Sequence, residues 1–587
     1  MTIDTPAWVR DAVFYQVFPD RFARSERVPK PGRFEPWDAP PTNFGFKGGD
    51  LLGIAERLPY LVDLGVSALY LTPIFSSASN HRYHTYDYLA VDPLLGGTAA
   101  FRELLDAAHA RGVRIVLDGV FNHTGRGFWP FHHLLETGAA SPYRDWFHLD
   151  LAALEAGRPL RAYPSGAERD LAPDEPELAG VEASGRRHLS ASLRRFGYQA
   201  WWDLPALPKL NTDTPEVREY LFGVAEHWLR FGIDGWRLDV PTEIDDPAFW
   251  REFRRRCRAV NPEAYLVGEI WHPAPEWLAG DRFDAVMNYP LATAILGYVA
   301  GRHLDWSVVR FHDEYRRQTR ALDGAGFAAA LEATLGLYDP AVTAVQLNLL
   351  DSHDTPRFLT MCGGDRDAYR LAVLLQATLP GAPCIYYGDE IGLEGGPDPD
   401  CRRAFPTDPA AWDDELRAFV RAAFALRAAQ PILRHGAYRT AAVSGAGFAF
   451  VREDDGRAGD GRAGDGGGGR AVGGGAVGGG GGRAGGGRAG GEGAGGEGAG
   501  GEGAGGEGAG GEGAVVVALN AGEELVELAV PVAADGRRFE AVPLPGWPPA
   551  RAGESFVVAG PAVELRLPPR RGIVLVAGDG WTGDRDG

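Results

Sequence analysis

The sequence predicts an α/β architecture: a (β/α)8 TIM barrel with a long insertion after its third strand, followed by an antiparallel β-sandwich. Three observations carry this expectation. Eight short, β-rich apolar segments alternate with amphipathic helical stretches through the larger N-terminal part of the chain. The third is followed by an irregular stretch, rich in Pro, Gly and aromatics, that is too long for a loop. After about Ala429 the pattern changes to short alternating strands. The chain therefore divides into barrel at 1–121, an inserted subdomain (domain B) at 122–211, barrel again at 212–428, and a sandwich at 429–587 interrupted by a Gly-rich tract at 456–513.

The eight apolar segments are Val13–Phe18, Ala68–Leu71, Arg114–Leu117, Trp236–Val240, Ala264–Val267, Ala285–Met287, Ala344–Asn348 and Cys384–Tyr387. Helical spacing is plain in Ala99–Arg111, closed by Gly112. Before the fourth segment, Thr214-Pro215-Glu216 supplies an N-cap, a proline at the first helical position and an acid in the first turn, and Gly232 supplies the stop. Helix, turn and strand then deliver Arg237 and Asp239 on one face, because alternate strand residues point the same way. Taken alone, that pair reads as a structural salt bridge. Strands of the sandwich are expected at Gly447–Val451, Val515–Leu519, Leu525–Val530 and Ile573–Val576. The tract between the first two is nearly all Gly, Ala, Arg and Glu, with Glu492, Glu497, Glu502, Glu507 and Glu512 in regular repeats. It cannot bury enough apolar surface to offset the entropy of ordering glycine, so a disordered hairpin tip is expected.

Composition narrows the function. The formal charge is -20, from 79 acidic and 59 basic residues, which argues against nucleic acid or an acidic membrane surface as partner and favours an uncharged substrate. Cys257, Cys362, Cys384 and Cys401 have neither metal-ligand nor disulfide-framework spacing and are expected as buried, reduced thiols. No basic segment with an apolar core opens the chain, and no apolar run is long enough to span a bilayer. A soluble, cytoplasmic protein is expected.

Active sites of such barrels lie at the C-terminal strand ends. Here those ends read Asp118-Gly-Val-Phe-Asn122-His123, Arg237-Leu-Asp239, Gly268-Glu269-Ile-Trp271-His272 and Asp351-Ser-His353-Asp354-Thr-Pro-Arg357. Asp239, Glu269 and Asp354 converge from three strands. Converging like charges need cations; Arg237 can serve one, and the other two have no partner evident in the sequence. Glycoside hydrolysis gives such a cluster a purpose, with one carboxylate as nucleophile and one carboxylic acid to protonate the leaving oxygen. Asp118 and Asn122 read as scaffold, and His109 and His227 as packed residues.

These four motifs resemble the signature regions of the alpha-amylase family, glycoside hydrolase family 13. Leu207-Pro-Lys-Leu-Asn211, Gly268-Glu-Ile-Trp-His272 and Phe283-Asp-Ala-Val-Met-Asn-Tyr289 resemble its neopullulanase, cyclomaltodextrinase and maltogenic amylase subfamily. The resemblance implies a retaining enzyme acting on α-1,4 or α-1,6 glucosidic bonds of a neutral α-glucan. Asp239 is then the nucleophile, Glu269 the acid/base, and Asp354 the third carboxylate, gripping sugar hydroxyls. It implies Arg237 beside the nucleophile and His123 and His353 on the sugar. It places Tyr83, or alternatively Tyr86, as the stacking tyrosine, with His81 nearby. Trp271 falls on the acceptor side, Arg357 among the substrate-binding residues, and Trp201 and Trp202 as added stacking surface.

Two departures from the subfamily stand out. The first strand begins close to Met1, so the subfamily's N-terminal β-domain is expected to be missing; its dimerisation and cyclodextrin preference then do not carry over, and a monomer or weak dimer is expected. Phe22-Ala-Arg-Ser-Glu-Arg27 lacks the Asn/Asp cluster expected ahead of Gly48-Gly49-Asp50, so a structural calcium lacks a full ligand set and no metal or cofactor is expected. Trehalose synthases and glucanotransferases use the same covalent intermediate, so a transglycosylase or isomerase is the alternative to a hydrolase.

Overall fold

The computed structural model describes residues 3–164, 191–310, 313–454, 513–532, 538–547, 555–557 and 561–578. All eight expected barrel segments are strands: β1 (Phe14–Val17), β2 (Ala68–Leu71), β3 (Arg114–Gly119), β4 (Gly235–Leu238), β5 (Tyr265–Gly268), β6 (Ala285–Val286), β7 (Leu347–Leu349) and β8 (Ala382–Tyr386). Each pairs in parallel with its neighbours, β8 lying between β1 and β7. The circle closes at a parallel bridge between Met287 and Leu347, where the Asn288 N–H donates to Leu347 O at 2.9 Å. The strands are buried throughout, so they read as mostly apolar runs, and the polar residues within them, such as Gln16 and Arg237, are buried as well.

Two details of this frame position the site. Asp118 on β3 and Arg237 on β4 are partners in register, so in these parallel neighbours they face the same way. The helix α2 (Pro215–Phe231), which follows α1 (Gly97–His109) in the ring, ends as expected at Gly232, whose φ of 117° admits glycine without strain. Its start differs from expectation. The Thr214 side chain makes no cap; its hydroxyl donates instead to Asp145 O at 2.5 Å and so fastens the inserted segment to the helix.

Among the described residues of the insertion, short antiparallel bridges join His123 to Lys209, Phe147 to Leu210, Leu149 to Tyr198 and Ala200 to Pro208. Phe131 packs edge-on against both Phe147 and Tyr198 and ties this segment into the hydrophobic core it shares with the barrel. A separate hairpin, Phe75–Ser77 paired with Thr85–Val91, brings His81 and Tyr83 over the barrel mouth in its connecting turn.

The C-terminal part is two antiparallel sheets. One has the order β9 (Ala437–Ser444), β10 (Gly447–Glu453), β11 (Ala514–Asn520), β16 (Arg571–Ala577), β13 (Arg538–Ala541), β14 (Ser555–Val557); the other pairs β12 (Val526–Pro531) with β15 (Ala562–Leu567). Val451, Val516 and Ala518 of the first pack against Leu528, Val530, Val563 and Leu565 of the second. The expected Gly-rich tract lies, Gly513 aside, outside the described residues; the strands flanking it, β10 and β11, pair with each other through Glu453 and Ala514. The sandwich is fixed to the barrel side by Phe327 packing on Phe448 at 5.0 Å and by Tyr298 donating to Ala446 O at 2.8 Å. All four cysteines are buried and unbonded. Among the described residues no helix is long and apolar enough to cross a membrane.

Candidate active site

Arg237 is fully buried and serves more than the single acid that the sequence allots to it. Its Nη1 lies 3.0 Å from Asp118 Oδ1 and 3.1 Å from Asp239 Oδ1, and its Nη2 lies 3.1 Å from Glu269 Oε1. One planar fork therefore faces three carboxylates, the arrangement a guanidinium can make and an ammonium cannot. Asp118, expected as scaffold, also accepts from the hydroxyls of Tyr70 at 2.7 Å and Tyr83 at 2.8 Å.

Three acids around one cation cannot all stay ionised out of water. Burial, then the charge of Asp354, push Glu269 up to about 7, against the pull of Arg237. Burial first, and the Glu269 charge second, push Asp239 above the usual carboxylate range as well. The two acids act on each other, so protonation of one favours the charged form of the other. Once Glu269 is protonated, the second of the two pressures on Asp239 disappears and Arg237 is left to stabilise an Asp239 carboxylate. That form supplies what glycoside hydrolysis requires, a carboxylic acid beside an ionised carboxylate. The sign of the pH dependence follows: the competent form carries the Glu269 proton, so kcat/KM is expected to fall as pH rises through about 7, measured as a full pH–rate profile on a maltooligosaccharide.

Val240, next to Asp239, has φ 35° and ψ 53°. A β-branched residue in the left-handed region is an outlier costing on the order of 1–3 kcal/mol. In that conformation its N–H donates to Glu269 Oε2 at 2.9 Å, and from the other side the Trp271 indole N–H reaches Glu269 Oε1 at 3.3 Å. Trp271 itself lies flat on Tyr289, the ring centroids 3.6 Å apart.

Asp354 is the most open of the three expected catalytic acids, its side chain 31% exposed. Its cation is Arg402, a residue the sequence reading missed. Arg402 Nη2 lies 3.1 Å from Asp354 Oδ1, its Nε donates to His353 O at 2.8 Å, and its Nη1 pairs with Asp398 at 2.9 Å. It arrives on the loop after β8, far along the chain from the motif it serves, and Asp398-Pro-Asp-Cys-Arg402 was the available signal.

His353 is held on both ring nitrogens. Gln16 Nε2 donates to Nδ1 at 2.8 Å, so the proton sits on Nε2, 2.7 Å from the Tyr83 oxygen and 3.1 Å from Asp354 Oδ2. With the Tyr83 hydroxyl donating to Asp118, a relay runs Gln16, His353, Tyr83, Asp118. The structure thus brings Tyr83, rather than Tyr86, to the site; Tyr86 packs over Gly125 and Gly127. Tyr83 and His353 are stacked within 4° of parallel. Burial holds His123 and His353 neutral, each near 3, and lowers His81 as well. His81 Nδ1 accepts the Tyr83 N–H at 3.2 Å, leaving Nε2 as its donor. His123 is buried beneath Trp201, whose ring lies 4.7 Å away and parallel, and Trp202, 75% exposed, continues the stack at 4.5 Å.

Arg357 departs from expectation. It is fully buried behind the mouth: Nη1 pairs with Asp389 at 2.8 Å, Nε donates to Cys401 O at 2.9 Å, and the guanidinium lies 4.0 Å from the Tyr386 ring centre. It faces scaffold and not substrate, since the helical turn that follows it turns the chain inward at Phe358, whose N–H donates to Asp351. Arg357→Met would strand the buried Asp389 carboxylate beside Asp351, so a loss of about 3–5 kcal/mol in denaturant unfolding is expected, with substrate affinity unchanged in the fraction that folds.

The acids near the N-terminus do not fit a metal ion. Lys30 Nζ sits 2.9 Å from Asp50 Oδ2 and 2.9 Å from Leu94 O, and Asp20 is met by Arg21, Arg82 and the N–H groups of Lys47 and Gly48. Side-chain cations already balance these carboxylates. Among the described residues no group of three or more His, Cys, Asp or Glu could hold a metal ion. Dialysis against EGTA is accordingly expected to leave activity and melting temperature unchanged, and a calcium-reversible loss would contradict this.

A parallel barrel whose mouth gathers two buried carboxyls on one guanidinium, with neutral histidines and stacked aromatics around it, defines a glycoside hydrolase. The alpha-amylase catalytic domain model matches residues 16–430. The chain belongs to the alpha-amylase family. It is 41% identical over 454 residues to a cyclomaltodextrinase of a Bacillus species, spanning 77% of this chain and 72% of that protein. It is 45% identical over 413 residues to neopullulanase 2 of Thermoactinomyces vulgaris, covering 70% of this chain and 60% of that longer one. The solved structure of Ttha1563 from Thermus thermophilus matches with a TM-score of 0.77 and 41% identity over 97% of this chain and 99% of that one. The names of the cyclomaltodextrinase and the neopullulanase agree with the subfamily that the motifs at 207–211 and 268–272 indicate.

Proposed function

We propose that the chain hydrolyses α-1,4 bonds of maltooligosaccharides, and α-1,6 bonds of related glucans, with retention of configuration. Asp239 attacks the anomeric carbon while Glu269 protonates the departing sugar oxygen; the acetal C–O bond breaks as the ester C–O bond to Asp239 forms. Glu269, now a carboxylate, takes a proton from water, whose oxygen displaces Asp239 and restores the α-anomer. Asp354, poised by Arg402, and the neutral His123 and His81 hold sugar hydroxyls, while His353, its ring nitrogens taken by Gln16 and Tyr83, fixes Tyr83 in place. Tyr83 supplies one stacking surface, and Trp271 one on the acceptor side.

The observation that carries this reading is the single Arg237 fork between Asp239 and Glu269. Asp239 and Glu269 both stand 3.1 Å from one guanidinium, a closeness compatible with the separation of about 5–5.5 Å that a retaining pair needs. Charge supports a neutral substrate, and buried unbonded thiols suit a reducing cytoplasm, where the chain would act as a monomer or weak dimer. A panel of maltotriose, pullulan, cyclodextrin and starch tests the reading. Glucose and maltose alone from maltotriose are expected. Longer or isomerised products would make it a transferase, and no turnover of any of the four would overturn the assignment.

A further inference from the structure

Lys209 makes an isolated antiparallel bridge to His123, and from there its side chain reaches the loop that follows Asp239. Its ammonium donates to Glu243 O at 2.9 Å and to Glu243 Oε2 at 3.2 Å, with the lysine side chain only 15% exposed. That loop, Pro241–Glu243, is one short turn, and its entry residue is Val240 in the left-handed region. Valine does not adopt this conformation unless both flanks impose it. On one flank the barrel holds Asp239, whose N–H donates to Gly119 O at 3.1 Å. On the other flank stands the Lys209–Glu243 clamp. What the strained conformation achieves is a backbone N–H aimed at Glu269 Oε2, 2.9 Å away.

We propose that Lys209 is a positioning residue for Glu269: by clamping Glu243 it holds the Val240 N–H on the carboxyl that delivers and recovers the proton. This rests on the acid/base role proposed above. An N–H donor favours the carboxylate over the acid, so the clamp both orients Glu269 and eases release of its proton. The other groups facing Glu269 are Arg237 on β4 and Asp239 just after it, Tyr70 on β2, Asp118 on β3, the Trp271 indole N–H, Tyr289 after β6 and Asp354 after β7. None of them belongs to the clamp, so loosening Lys209 alters one partner and leaves the rest.

The test compares wild type, Lys209→Met, Lys209→Arg and Glu269→Gln on two substrates. In maltotriose the leaving sugar must be protonated; in α-maltosyl fluoride the leaving fluoride need not be. Lys209→Met is expected to lower kcat/KM on maltotriose by roughly 10- to 100-fold, a part of the about 10²–10⁴ that a positioned general acid supplies, and on the fluoride by no more than about twofold. Its basic pH limb is expected to move to higher pH, and Lys209→Arg, which keeps the cation, to restore most of the activity. Glu243→Gln retains the carbonyl acceptor and should show the same pattern more weakly; it serves if Lys209→Met does not fold. Equal losses on both substrates, or an unmoved pH limb with only a lower melting temperature, would overturn the proposal. If Glu269→Gln itself shows no dependence on the leaving group, the acid/base assignment fails; if it does and Lys209→Met does not, the clamp alone fails.

Discussion

Asp239→Asn is expected to lower kcat on maltotriose by at least about 10³-fold while leaving the melting temperature close to that of the wild type. The amide is nearly isosteric, and it can still accept from Arg237 Nη1, which lies 3.1 Å from Oδ1 in the wild type. It also removes one of three anions crowded on one guanidinium, which offsets the lost ion pair. What it cannot do is form the ester to the anomeric carbon. Full activity in a purified, folded Asp239→Asn enzyme would remove Asp239 from the mechanism. A loss matched by a large drop in stability would make the pair the structural salt bridge that Arg237 and Asp239 suggest when taken alone.

The second large effect is expected at Arg237. Arg237→Met leaves Asp118, Asp239 and Glu269 buried with no cation among them, a change expected to cost about 3–5 kcal/mol in unfolding free energy. Activity should fall for a separate reason. Arg237 opposes the upward push of burial on Asp239, so its loss raises the Asp239 carboxyl further and leaves the nucleophile protonated at neutral pH. The residual activity is therefore expected to climb with pH, the ascending limb moving to higher pH than in the wild type. Arg237→Lys keeps a charge but not the fork; it should recover stability better than activity, because one ammonium cannot face three carboxylates at the angles that Nη1 and Nη2 achieve. Stability curves and pH–rate profiles on the two variants separate the structural share of Arg237 from its electrostatic share.

Much of this was legible in the chain because barrel strands buried on both faces leave an imprint: the eight segments are short, rich in β-branched and aromatic residues and mostly apolar, and each expected catalytic acid falls at or just past the end of one. The convergence of Asp239, Glu269 and Asp354 follows from that placement, and their separate roles from the resemblance to the alpha-amylase family. What resisted reading depends on how separate segments meet. Arg237 looked like the partner of one acid, since nothing local announces that β3 and β4 are in register at Asp118 and Arg237. Arg402 comes to Asp354 from the loop after another strand. Arg357 sits in the same motif as His353 and Asp354, yet the chain turns inward between them and commits it to Asp389. Thr214 had every mark of a helix cap and spends its hydroxyl on Asp145. Val240 carries no glycine to signal its left-handed backbone, because the conformation is imposed from outside by its flanks.

The stereochemistry of one turnover bears most directly on the role of Asp239. Proton NMR of maltotriose during the first minutes of hydrolysis, before mutarotation scrambles the anomers, reports the configuration of the newly formed reducing end. A double displacement through Asp239 predicts that the α-anomer appears first; first appearance of the β-anomer would mean direct attack by water and would contradict a covalent intermediate on Asp239.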